Sequence, residues 1–98
     1  MKIHWTQVAA DHLAAIYAYV ATSSPLYATQ LVIRIEARTS QLERFPESGR
    51  LAPECEDRNV REVFERPYRI LYRLNEGRVE IIAVIHMRQV GPDLGPVT

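Results

Sequence analysis

The sequence predicts an α+β fold. A helical hairpin should pack on one face of a small, mainly antiparallel four-stranded sheet, in the order β-α-α-β-β-β. Three patterns predict it. Two early stretches carry apolar residues at three- and four-residue steps, the mark of amphipathic helices. Three later stretches alternate or run continuously apolar between turn residues, the mark of strands. Proline and glycine fall between these stretches and not inside them.

Lys2 to Trp5 places Ile3 and Trp5 on one side of a period-two alternation, so it reads as a first strand. Thr6 suits an N-cap, because its hydroxyl can accept from a free amide of the first turn. The helix it starts should run to about Ala21, with Ala9, Leu13, Ile16 and Val20 along one stripe. Ser24 and Pro25 then cap and open a second helix. That helix is expected from Pro25 to Arg44, burying Ala28, Leu31, Val32, Ile35, Thr39 and Leu42. Pro46 stops it, since a proline disfavours helical geometry in the residue before it. So short a connection predicts an antiparallel hairpin.

Residues 46–59 contain Pro46, Gly49 and Pro53 with many charges and no period, and read as a loop. Val60 to Glu65 is a short strand. Arg66-Pro67 opens the next, which runs to about Leu74. Along it Tyr68, Ile70, Tyr72 and Leu74 point one way, and Arg69, Leu71 and Arg73 the other. Asn75-Glu76-Gly77 is a turn. Val79 to His86 is almost continuously apolar, as expected of a central strand buried on both faces. Residues 1–90 should form a single domain, and 91–98, rich in glycine and proline, an irregular tail.

Ninety-eight residues suit one domain. A chain of this size buries somewhat over roughly 60% of its unfolded surface, enough for one core. No apolar run approaches the roughly 20 residues of a membrane span, and no apolar signal segment follows the first residues. The one cysteine, Cys55, has no partner for an internal disulfide, which fits a reducing cytoplasm. No glycine-rich phosphate loop or zinc spacing is present, so no cofactor and no metal are expected. His4 and His12 lack ligand partners at useful spacing and read as surface or packing residues.

Formal net charge is zero, which gives the whole molecule no strong pull on nucleic acid. The distribution is uneven. Residues 46–59 set Glu47, Glu54, Glu56 and Asp57 against Arg50 and Arg58, a balance of −2. Residues 60–78 set five arginines against three glutamates, a balance of +2. Eleven of the twelve basic side chains are arginine, the better bidentate partner for carboxylate or phosphate.

The sheet face away from the helices is expected to be open. It should carry Arg69, Leu71 and Arg73 and, by alternation from Val84, also Ile82, His86 and Arg88. The strand of Arg61 is too short and mixed to fix that residue's facing. Arg61, Arg69, Arg73, His86 and Arg88 are therefore the candidate partner- or target-binding residues. Two readings stand for Arg69 and Arg73: cations presented to a partner, or cations paired with Glu62 and Glu80. His86 likewise reads either as an acid–base group or as a hydrogen-bonded strand-end histidine.

The order of elements and several short motifs resemble the RelE/ParE superfamily, the toxins of bacterial type II toxin–antitoxin modules. The motifs are Trp5-Thr6, Leu42-Glu43-Arg44-Phe45-Pro46 with Gly49-Arg50, Arg61-Glu62, Tyr68-Arg69-Ile70-Leu71-Tyr72-Arg73 and Val84-Ile85-His86. The resemblance covers about residues 3–88 and is closer to the ParE branch by its Phe-Pro-x-x-Gly-Arg and Pro-Tyr-Arg-Ile elements. It implies a toxin neutralised by a cognate antitoxin, with operator DNA contacted only through that antitoxin and no role at a membrane. ParE-like members poison DNA gyrase. RelE-like members cut mRNA on the ribosome.

The resemblance implies that an RNase of this family would use Arg69 on the phosphate and His86 in acid–base work. The tyrosine that often follows that histidine is replaced by Met87, and the RelE lysines are missing, Lys2 being the only lysine. Ribosomal docking also favours a strongly basic protein. Gyrase poisoning, a binding activity, needs no catalytic set. The sequence therefore favours a gyrase-binding toxin that is not an enzyme, with the ribosome-dependent endonuclease as the alternative.

Overall fold

The computed structural model describes residues 1–89. The tail expected at 91–98 and the end of the expected domain lie outside the described residues. Strand β1 (Lys2–Trp5) leads into helices α1 (Gln7–Ala21) and α2 (Pro25–Ser40). A two-residue strand β2 (Arg50–Leu51) follows, then β3 (Val60–Glu65), β4 (Tyr68–Asn75) and β5 (Arg78–His86). Among the described residues the sheet has five strands in the order β1-β5-β4-β3-β2, and only their β1–β5 pairing is parallel.

The helix starts are built as the sequence indicates. Thr6 accepts from the Ala9 amide at 3.2 Å and donates to the Ile81 carbonyl at 2.8 Å, so one hydroxyl caps α1 and ties it to β5. Ser24 accepts from the Tyr27 amide at 3.1 Å, and Pro25 takes the first helical position. The second helix ends earlier than Arg44. It stops at Ser40 and tightens into a 3-10 turn over Gln41–Glu43. The Thr39 and Ser40 hydroxyls both donate to the Glu36 carbonyl, at 2.8 and 3.0 Å. Such side-chain competition for a helix carbonyl weakens the last regular turn.

The helices bury one sheet face. Ala9, Leu31, Ile35 and Leu42 meet Val63, Tyr68, Ile70, Tyr72, Val79, Ile81 and Val84 in the main core. A fifth strand, against the four expected, comes from the loop: Arg50 and Leu51 pair antiparallel with Glu62 and Arg61. A strand of two residues leaves no periodicity to read.

Two buried hydrogen bonds fix the loop that carries β2. The Tyr72 hydroxyl donates to the Pro46 carbonyl at 2.8 Å and accepts from the Gly49 amide at 2.9 Å. Tyr72 itself is fully buried. Tyr72→Phe keeps the ring and strands both groups, so it should lower stability by about 1–3 kcal/mol. Urea unfolding of the two proteins measures it, and an unchanged midpoint would show that the latch contributes nothing.

A β-bulge changes the facing along β5. Leu71 pairs with Ala83, but Tyr72 pairs with Ile81, so Ile82 is the extra residue. Before the bulge Val79 and Ile81 face the helices. After it Val84 and His86 do, and Ala83 and Ile85 turn to the other side. The alternation expected from Val84 is therefore corrected. His86 sits opposite Tyr68, on the helix side of the sheet.

Candidate functional site

The second sheet face is not open as expected. Residues 52–57 fold over it, and Ala52 and Cys55 pack with Val60, Leu71, Ala83 and Ile85 in a smaller apolar cluster. A central strand apolar on both faces requires such a cover. The pKa of the Cys55 thiol is raised, first by this burial and then by Glu54.

Beside that cluster lies a chain of charges. Glu62, on β3, has a side chain fully out of solvent. One of its carboxylate oxygens accepts from Arg50 Nε and the other from Arg69 Nε, the latter at 2.7 Å. Arg69 Nη2 donates to Glu54 Oε1 at 2.6 Å, and Nη1 reaches the Gln89 carbonyl at 3.4 Å. Arg69 is only 8% exposed. Its pKa is held above the ordinary guanidinium value, first by the Glu54 hydrogen bond; burial opposes this, and Glu62 adds to it.

Arg73 lies on the same face, with Nε 3.2 Å from Asp57 Oδ2. That N–H is not aimed at the oxygen, because Nε has no hydrogen-bond partner among the described residues. The contact is a charge pair and not a directed bond. Glu80, the partner considered from sequence, is instead bonded by Asn75 and Arg78 at 3.2 and 2.8 Å. Its pKa is lowered, first by the Asn75 hydrogen bond.

The five candidate residues do not form one site. Arg69 and Arg73 share the loop-covered face. Arg61 pairs across with Tyr72 and so faces the helix side, where Nη1 donates to the Gly49 carbonyl at 2.8 Å. His86 meets the Tyr68 ring edge-on, with centroids 5.6 Å apart. Its Nδ1 accepts from the Arg88 amide at 3.1 Å. Arg88 is exposed in the turn after β5. His12, read as a surface or packing residue, accepts from the Val84 amide at 3.2 Å and so caps the part of β5 that β1 does not reach.

Sequence reasoning named Glu62 as a partner but missed Glu54, Asp57 and Arg50. The signal was present in the loop's −2 balance beside the +2 of the strands. Opposite charges so close in the chain tend to neutralise each other within the fold.

Beside Arg69 the surface dips into a cleft of ≈ 450 Å³ lined by Arg50, Pro53, Glu54, Phe64, Arg69 and Met87. The guanidinium carbons of Arg50 and Arg66 lie 5.4 and 5.9 Å from the Phe64 ring centre. A second, mainly apolar groove runs along the helices between Trp5, Leu13, Tyr17 and Val32.

The same architecture occurs in known toxins. A solved structure described as the chromosomal ParDE TA system from P. aeruginosa superposes with a TM-score of 0.73 at 29% identity, covering 88% of this chain and 95% of that one. Toxin RelE2 of Caulobacter vibrioides is 35% identical over 86 residues, which is 87% of this chain and 93% of the relative. A family model described as the ParE toxin of type II toxin-antitoxin system, parDE, matches residues 3–91. With the helical hairpin, the mixed sheet and these matches in agreement, the chain belongs to the ParE family of type II toxins, within the RelE/ParE superfamily.

Proposed function

We propose that this toxin arrests growth by binding and poisoning DNA gyrase in the cytoplasm, without catalysis of its own. A cognate antitoxin neutralises it, as membership of a type II module implies. Operator DNA is contacted through the antitoxin alone.

One observation carries the reading. The two side chains an RNase mechanism would need point to opposite faces of the sheet: Arg69 pairs across with Ile85, and His86 with Tyr68. Cleavage through the RNA 2′-hydroxyl requires the phosphate-holding cation and the acid–base group within hydrogen-bond reach of one phosphodiester. Arg69 is also engaged by two carboxylates, so an incoming phosphate meets negative charge. Zero net charge adds nothing to the pull on rRNA. A binding toxin needs none of these groups.

The alternative is a ribosome-dependent mRNA endonuclease using Arg69 and His86. The name of the Caulobacter relative, Toxin RelE2, keeps it open. Induced expression separates the two. The gyrase reading expects a DNA-damage response and intact mRNA, and His86→Ala should leave toxicity within about twofold of wild type, because the ring's contacts, with Tyr68 and the Arg88 amide, are local packing and capping. Fresh mRNA ends at ribosomal A sites, lost in His86→Ala, would establish the alternative.

A further inference from the structure

We propose that the cleft beside Arg69 is a docking site for an acidic segment of a partner protein, one carboxylate of which takes the place of Glu54 on Arg69. This extends the reading above only in taking the partner to be a protein. Glu54 already shows what chemistry fits: a carboxylate on Arg69 Nη2 at 2.6 Å. Of the two carboxylates on Arg69 it is the more accessible. Its side chain is 22% exposed and comes from the covering loop, whereas that of Glu62 is fully buried and bridges Arg50 and Arg69.

Charge sets the polarity of the ligand. Around the cleft Arg50, Arg66 and Arg69 face Glu54 and Glu62, three positive against two negative, or +1. Moving Glu54 aside makes it +2. The rim is cationic as well. The Arg50 side chain is 65% exposed, and Arg66 is exposed and reaches Met87 Sδ at 3.6 Å. Between the two arginines the Phe64 ring, with Pro53 and Met87, offers apolar surface. An acidic residue next to an aromatic or aliphatic one fits this combination, since exposed arginines over an aromatic ring favour such contacts.

The test is a fluorescence-anisotropy titration of the folded protein with a labelled short peptide alternating glutamate and phenylalanine. The same peptide with glutamine for glutamate, and a single-stranded RNA oligonucleotide, are the comparison probes. The acidic peptide should bind and the glutamine peptide should not. Glu54→Gln removes the internal competitor and should tighten binding about three- to tenfold. Arg66→Gln, which leaves the Glu62–Arg69 pair intact, should weaken it at least about threefold. Three results would overturn the proposal: no binding of the acidic peptide to either wild type or Glu54→Gln, affinity indifferent to both substitutions, or RNA binding tighter than the peptide. No gyrase is present, so the outcome is separate from the target. Peptide binding in this pattern with unaffected gyrase would retire the target and keep the cleft. Poisoned gyrase without peptide binding would do the reverse.

Discussion

Glu62→Ala should lower unfolding free energy by about 3–5 kcal/mol, the largest effect of any single polar substitution considered for this chain. Among the described residues Glu62 is the one carboxylate with its side chain entirely out of solvent, and it accepts from two arginines. Removing it leaves Arg69 with its side chain 10% exposed and dependent on the loop residue Glu54. A guanidinium cannot escape by losing its proton, so the desolvation cost stands. Arg50 fares better, because its side chain is 65% exposed and can turn to water. Urea denaturation reads the difference. A loss below about 1 kcal/mol would place the pair in the class of ordinary surface bridges.

Gly49→Ala should cost about 2–4 kcal/mol, from overpacking and from the lost latch to Tyr72. A Cβ at this position would lie 2.6 Å from the Glu62 carbonyl oxygen and 2.6 Å from the Tyr72 hydroxyl. The first contact is backbone in the middle of β3, and the second belongs to a fully buried ring. Neither can withdraw cheaply. The result would be displacement of β2 and of the loop that carries Glu54 over the second face. The comparison is Gly77→Ala. Gly77 has a positive φ of 76° but nothing within 4 Å, so its cost is backbone strain alone, about 1 kcal/mol. Thermal melts of both variants order the two effects, and equal losses would refute the steric account.

The fold was legible where periodicity or capping chemistry decided the local structure. The stripe through Leu31 and Ile35, the caps at Thr6 and Ser24, and the alternation of Tyr68, Ile70 and Tyr72 each appear where the residues placed them. What escaped had no local signature. A bulge at Ile82 looks in sequence like any residue of a continuous apolar strand, yet it moves His86 to the other face. The second cover of the sheet is a loop without a period, held by Ala52 and Cys55 in a small cluster. The charge chain lay between the two cases. The arginines and Glu62 stood on readable strands, but Glu54 and Asp57 reach them only because the loop crosses above.

That loop also changes the character of the arginines. Presented on a bare sheet, Arg69 and Arg73 would form a cationic surface for phosphate. Beneath residues 52–57 they are paired with Glu54, Glu62 and Asp57, while Arg50 and Arg66 stand exposed at the rim. On the proposed reading, such a surface would select by shape and by single charges more than by bulk electrostatics.

Supercoiling of relaxed plasmid by purified gyrase, with this toxin in molar excess and RNA absent, is the most direct test of the account. Inhibited supercoiling with trapped DNA breaks, unchanged by His86→Ala and relieved by the antitoxin, is the predicted result. Full supercoiling activity at every toxin concentration, from protein that still halts growth in cells, would contradict it.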